Sequence, residues 1–252
     1  MLQFAQIKII LKMKTIKNLL FSCISMSVML ISCNQKTAEP NTLSDKEQAE
    51  GWVLLFDGKS LDRWHVYNQT ENNPAWVIKD GAIYCDPNNQ SNKGDLVSNE
   101  SYQNYEFQFD WKLEKEGNSG IFINVQEKPG IDATWQSGPE YQLLEDSHAD
   151  FAIPQKKAGC LYTFLPQRNF VNTKSKGEWN RSKIIQKYGK VTFMLNDKIT
   201  AEMDFNSDKW KNMVQQSHFK DFPEFGKNTS GKIALQDWSR GVSFRNLKIK
   251  TL

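Results

Sequence analysis

The stretch Tyr105–Leu113, YEFQFDWKL, alternates without a break. Tyr105, Phe107, Phe109, Trp111 and Leu113 share one face of an extended chain, and Glu106, Gln108, Asp110 and Lys112 share the other. The pattern predicts a half-buried strand whose aromatic face turns toward a core.

The closing residues 233–252, IALQDWSRGVSFRNLKIKTL, repeat the pattern with one defect. Val242, Phe244, Leu247 and Ile249 are apolar, and Arg245, Lys248 and Lys250 are polar. The alternation therefore slips by one residue near Asn246, as at a β-bulge. Further strands are predicted at 53–56, 75–79, 82–85, 95–98, 120–126, 141–144, 160–164, 179–187, 190–195, 199–205 and 231–235. Lys79-Asp80-Gly81 and Asn196-Asp197-Lys198 read as hairpin turns, the Asp-Gly pair suiting a turn that needs positive φ. Many strands at short spacing, with few amphipathic helical patterns, predict an all-β, antiparallel β-sandwich in a single domain over 51–252. No Pro- or Ser-rich linker divides that span. Residues 207–229 break the rhythm with Trp210, Met213, Phe219, Phe222, Pro223 and Phe225, and read as an ordered excursion capping one rim. Ser44-Asp45-Lys46-Glu47 has capping-box spacing, so a short helix is expected before the first strand.

The formal charge of +3 comes from the leader, which holds Lys8, Lys12, Lys14 and Lys17 and no acidic residue. Setting those four aside leaves 28 basic residues against 29 acidic ones. No basic stripe remains, which argues against a nucleic-acid partner. Lys14 and Lys17 precede an apolar run over 19–31, the pattern of a signal peptide over 1–32 and too short for a comfortable membrane span. Met13 opens a more typical leader than Met1. Leu30-Ile31-Ser32-Cys33 resembles a bacterial lipobox, with cleavage before Cys33 and lipid on its thiol. Two acyl chains on Cys33 would anchor the protein firmly in the cell envelope, periplasmic or outer-membrane. Residues 33–50 then read as the lipidated cysteine and a polar tether.

Cys23 leaves with the leader, so Cys85 and Cys160 are the thiols of the soluble part. They sit in a disulfide-permissive compartment and can pair, or serve as small buried residues. No C-x-x-C or H-x-x-x-H zinc spacing occurs.

Eight Trp residues are many for this length; most belong to a core, and some can line a sugar cleft, because aromatic faces pack against C–H surfaces. Glu140 and Gln142 share one face of a strand, and Asp146 joins them if the strand continues. Such a row is either a solvated sheet face or the floor of a ligand-binding sheet. His148 lies between Asp146 and Asp150 in a loop, where it is a base, a metal ligand or a locally bonded side chain. His65 and His218 read as structural. In Asn118-Ser119-Gly120 the glycine permits a close approach, and Asn118 can bind hydroxyls or simply shape a turn. Gln236, Asp237 and Trp238 offer an amide, a carboxylate and an indole at a strand end, which suits a sugar.

Several segments occur together in a known family. They are GWVLLFDGKSLDRW over 51–64, WVIKDGAIY over 76–84, NSGIF over 118–122, EYQLLED over 140–146, GCLY over 159–162, GEWN over 177–180, and LQD-x-x-x-G-V-x-F-R-N-L-x-I from Leu235. Their order resembles that of the bacterial 3-keto-glucoside lyases and hydrolases, over roughly 45–252. The resemblance implies a concanavalin A-like jelly roll. It also implies a substrate oxidised at C3 of a glucoside ring by a separate dehydrogenase. The C3 ketone acidifies the C2 proton, and the resulting enolate expels the C1 substituent by β-elimination. Water can then add back to the 3-keto-2-hydroxy-glucal, giving net hydrolysis. No redox cofactor is required at this step; a divalent cation at the C3 oxygen is an option the resemblance leaves open. On this reading His148 or Glu140 is the base, Asp146 or Asp237 places it or holds the cation, and Asn118, Gln142, Gln236 and Trp238 position the sugar. Trp238 departs from the pattern, since relatives commonly carry His there. Two alternative readings stand beside it: a conventional two-carboxylate glycosidase using Glu140 and another acid, and a non-catalytic, lipid-anchored glycan-binding module on the same fold.

The lipobox reading has a direct test. Cys33→Ser should release the protein from membranes into the soluble fraction, and unchanged membrane association of that variant would contradict it.

Overall fold

Strand β6 (Tyr105–Leu113) lies at the centre of an eight-stranded sheet, where its alternation decides what fills the core. The computed structural model describes residues 39–69, 75–89, 94–238 and 241–252, so the leader and Cys33 lie outside the described residues. The large sheet runs β11-β10-β9-β6-β13-β4-β3, with β1 (Val53–Leu54) paired to β13. These strands are β3 (Trp76–Lys79), β4 (Ala82–Cys85), β9 (Asn180–Lys187), β10 (Lys190–Leu195), β11 (Lys198–Asp204) and β13 (Val242–Thr251). The second sheet has five strands in the order β2-β5-β12-β7-β8. They are β2 (Trp64–Val66), β5 (Leu96–Ser98), β12 (Lys232–Leu235), β7 (Asn118–Val125) and β8 (Glu140–Leu144). Every pairing is antiparallel, and residues 39–252 form one compact unit. The fold is the antiparallel sandwich the alternation predicts and the jelly roll the resemblance implies.

The apolar face of β6 is buried between the sheets, where Phe109 meets Tyr141 of β8 edge to face at 5.6 Å. Trp111 Nε1 and the Tyr141 hydroxyl both reach Ser182 Oγ, at 2.8 and 2.7 Å. Buried aromatic polar atoms need such partners, and here one serine on β9 serves both sheets.

The predicted slip in β13 is present: its register with β6 shifts between Arg245 and Lys248, and Asn246 has φ of 54°. The bulge is held by Asn41, which was assigned to the tether. Asn41 N donates to Asn246 Oδ1 (2.6 Å), Asn246 N donates to Asn41 Oδ1 (2.8 Å), and Asn41 Nδ2 donates to the Gly81 carbonyl (2.8 Å). Helix α1 (Asp45–Ala49) follows with the expected capping box, and its Glu47 pairs with Lys248. The tether expected over 33–50 is therefore shorter: 39–50 is docked on β13, because the bulge leaves backbone groups that Asn41 satisfies.

Two other strand expectations change. Residues 64–66, outside the predicted strands, form β2, with Trp64 Nε1 bonded to the Leu55 carbonyl. Residues 160–164 form isolated bridges rather than a strand, because Thr163 turns back at φ 62°. Of the two roles open to Cys85 and Cys160, the structure shows small buried residues without a disulfide between them: Cys85 is on β4 of the large sheet and Cys160 lies against β8 of the small one. The excursion 207–229 contains helix α2 (Asp208–Gln215), whose Trp210 packs with Phe164, Phe205 and Phe225.

Asn41→Ala keeps the Asn41 N–H bond to Asn246 but removes the acceptor of the Asn246 N–H and the donor to the Gly81 carbonyl, leaving those backbone groups unsatisfied. We expect it to lower stability by about 1–3 kcal/mol, read as a shifted denaturation midpoint at constant m. No shift would mean that 39–50 is not part of the folded unit.

Candidate active site

Strand β8 has period two, and Tyr141 and Leu143 fill the interior between the sheets. Glu140 and Gln142 must then project from the other face of the small sheet. They form the floor of a cleft of about 400 Å³ with Asn118 from β7 and Gln236 from the end of β12. Its walls are Trp135, Asp150, Lys156, Tyr162, His218, Phe219 and Trp238. The strip 159–162 runs beside β8, with Gly159 N donating to the Gln142 carbonyl (2.8 Å) and Tyr162 N to the Glu140 carbonyl (3.0 Å). These bonds bring the Tyr162 side chain beside Glu140. The excursion supplies His218, whose ring packs on Phe219 at 4.0 Å.

Gly120 lies in β7 opposite Gln142, and a Cβ there would stand 2.0 Å from Glu140 Oε1. The close approach that the glycine permits is thus that of the Glu140 carboxyl. Glu140 is buried, and burial holds its pKa well above the usual carboxylate range, with the Asp95 charge adding to the effect. Asp95 itself is pushed up to about 6 by burial, opposed by bonds from Thr134 and the Asp237 N–H and reinforced by the Asp237 charge. Burial also raises the Cys160 thiol and the Tyr162 phenol, and the Glu140 charge acts on both in the same direction. Lys156 Nζ is bonded to Asp150 Oδ2 at 2.9 Å, which raises the lysine pKa and keeps a cation at the cleft wall.

Five of the residues picked from sequence converge here: Glu140, Gln142, Asn118, Gln236 and Trp238. Trp238 is 62% exposed at the mouth, where it also lines the cleft. Asp237 points elsewhere. It accepts from the Cys85 thiol (3.4 Å) and Gly94 N (3.1 Å), beside a neighbouring hollow of about 290 Å³ that shares Trp135, Gln236 and Trp238. Asp146 is exposed and accepts from Thr173 Oγ1, and His148 uses Nδ1 to cap its own 3-10 turn by accepting from Asp150 N. Neither lines the cleft. The reason is local: β8 stops at Leu144, and Glu145 binds Ser147 N and Glu116 N, which ends the alternation that would have carried Asp146 onto the floor.

Lys156, Tyr162, Trp135 and Asp150 are not among the site residues the sequence puts forward, and His218 reads there as structural. Of these, Tyr162 had a signal, since it closes the GCLY segment. Among the described residues no group of three or more His, Cys, Asp or Glu side chains could hold a metal ion. Asp95 accepts from Thr134 and Asp237 N, Asp237 from Cys85 and Gly94, and Asp150 from Lys156. This donor set does not fit a resident cation.

Residues 51–250 match the family of 3-keto-α-glucoside-1,2-lyase-like domains. The chain is 32% identical over 244 residues to the 3-keto-disaccharide hydrolase of Bacteroides thetaiotaomicron, covering 86% of this chain and 84% of that protein. It superposes with a TM-score of 0.78 and 32% identity on a Parabacteroides distasonis crystal structure provisionally described as a glycosyl hydrolase, covering 85% of this chain and 100% of that one. A second Parabacteroides distasonis structure of the same description shares the fold at 24% identity and a TM-score of 0.59, over 80% of this chain and 99% of that one. With the matched span running through both sheets and the cleft floor, the chain belongs to the 3-keto-α-glucoside-1,2-lyase-like family.

Proposed function

We propose that this protein is a carbohydrate-active enzyme that cleaves glycosides oxidised at C3, with Glu140 as the base that removes the C2 proton. The observation that carries this reading is a buried carboxyl at the cleft floor whose proton affinity is raised by its surroundings. A base of raised pKa drives proton transfer from carbon better than an ordinary carboxylate does. Support for the substrate class comes from the family and from the relative named a 3-keto-disaccharide hydrolase.

Ionised Glu140 takes the C2 proton, and the C–H electron pair moves into an enolate whose charge rests on the C3 oxygen. The Tyr162 phenol and the Lys156 ammonium are the donors at the cleft wall that can face that charge. Collapse of the enolate re-forms the C3 ketone, makes the C1–C2 double bond and expels the C1 oxygen with its electron pair. That oxygen takes a proton from Glu140, now neutral, or from Tyr162. Addition of water across C1–C2 then completes a net hydrolysis. The ketone is made beforehand by a separate glucoside dehydrogenase, so no redox cofactor enters this step. Trp238 and Trp135 at the mouth stack on the sugar rings, a feature a pure binding module would share; the buried carboxyl favours the enzyme. We place the enzyme in the cell envelope, tethered through lipid on Cys33.

Solvent deuterium should enter C2 of the sugar during turnover of a 3-keto-glucoside, and its absence would rule out this route. Glu140→Gln should lower kcat by about 10²-fold or more while substrate still binds. Tight binding of oxidised and unoxidised glycosides by the wild type, with no turnover of either, would instead mark a binding module.

The pH dependence follows from the same group. Its folded pKa is raised, so the neutral form is favoured by the fold and stability is lost as pH rises through that pKa. Activity moves the other way, because the base must be ionised. The rate should climb above the usual carboxylate range, while Glu140→Gln should lose that climb and become the more stable protein at high pH. A variant equally stable at all pH values would contradict the burial of this charge.

A further inference from the structure

Gln142 was assigned to sugar binding, yet its surroundings leave it little to offer a ligand. It is 1% exposed, directly across from Gly120, and its carboxamide lies between two sets of polar atoms. On one side are Glu140 Oε1 and the Ser119 carbonyl; on the other is the Asn118 carboxamide. The Ser119 carbonyl belongs to the β7 backbone. It can only accept and cannot turn.

That fixed acceptor removes an ambiguity. With its oxygen toward Ser119 and Glu140, the Gln142 amide would face two acceptors and leave a buried carbonyl pair in repulsion. With Nε2 on that side it donates to Glu140 Oε1 at 2.9 Å and to the Ser119 carbonyl at 3.2 Å. Its oxygen then accepts at 3.2 Å from the Asn118 amide turned in the same sense. Every hydrogen-bonding group of Gln142 except one lone pair is used.

Resting on the reading of Glu140 as base, we propose that Gln142 is a positioning residue. The Ser119 carbonyl orients its amide so that one N–H is given to Glu140 Oε1, which leaves Oε2 as the oxygen that takes and returns the substrate proton. Asn118, with a nitrogen committed to Gln142, turns its Oδ1 toward the cleft as an acceptor for a sugar hydroxyl. The chain of sense thus runs from a backbone carbonyl, through one amide, to the reacting carboxylate and, through a second amide, to the ligand. A hydrogen bond to the ionised form favours it, so Gln142 also moderates the rise that burial imposes on Glu140.

Other titratable groups share the cleft or its margin with Glu140. Asp95 lies beside it from the segment before β5, Cys160 and Tyr162 from the strip over β8, the Lys156–Asp150 pair from the following loop, and His218 from the excursion. Gln142→Leu or Gln142→Met leaves all of these in place and removes only the amide. The test therefore reads the Glu140 carboxyl in the intact chain without substrate, by ¹³C NMR titration, with Glu140→Gln identifying the signal. The proposal expects its midpoint to rise by about one to two pH units in either variant. It also expects the Gln142 side-chain ¹⁵N resonance of the wild type to follow the same titration, a measurement that needs no variant. With substrate, the rising limb of the rate should move to higher pH, with only a modest rise in KM as Asn118 loses its anchor. An unmoved Glu140 midpoint, a Gln142 resonance indifferent to it, or a large rise in KM with an unmoved limb would each overturn the assignment and return Gln142 to sugar binding. The titration needs no turnover, so failure of the 3-keto-glycoside reading would leave it standing.

Discussion

Tyr141 reaches from β8 across the interior of the sandwich, and its hydroxyl lies 2.7 Å from Ser182 Oγ and 3.0 Å from the Met194 carbonyl. A tyrosine with no exposed surface and two polar contacts in the opposite sheet has one way to sit. The rest of the site follows from it. Because side chains alternate along a strand, a buried Tyr141 sends Glu140 and Gln142 to the outer face. A slip of one residue would put the carboxyl into the core and the phenol into the cleft.

That outer face is covered rather than solvated. The strip 159–162 runs along β8, and the excursion with α2 packs its aromatic residues beside it. Covering the face converts an ordinary polar row into a buried one. Desolvation disfavours the ionised carboxyl and raises its proton affinity. Gly120 is the complementary concession on the neighbouring strand, since any side chain there would occupy the space of Glu140 Oε1. Packing and chemistry are the same arrangement here: the elements that exclude water also tune the base.

The neighbouring hollow behind Trp135 and Trp238 has a different character. Asp95, Asp237 and Thr134 are tied to one another and to backbone N–H groups, so they hold the segment before β5 against the end of β12. The Asp95 charge reaches Glu140 through space. Asp237, attractive in the sequence as a catalytic acid, is in the structure a brace whose carboxylate is already occupied.

The sequence by itself determined what depends on neighbours along the chain. Period-two alternation in β6 and β13, the Asp80-Gly81 and Asn196-Asp197 turns and the capping box at Ser44 are local, and each is where the residues require it. The sequence also put Glu140 and Gln142 forward, because strand periodicity tells which side chains share a face, and Asn118, Gln236 and Trp238, through their amide and indole groups at strand ends and the family resemblance. Tertiary structure alone decided which face was covered, that β8 stops before Asp146, and that His148 spends its ring on its own turn. It alone brought Tyr162 and Lys156 to Glu140, from loops with no period to read. Burial, hydrogen-bond satisfaction and the sense of a buried amide chain depend on atoms contributed by segments distant in sequence. For that reason the carboxyl is visible in the chain, and its proton affinity only in the fold.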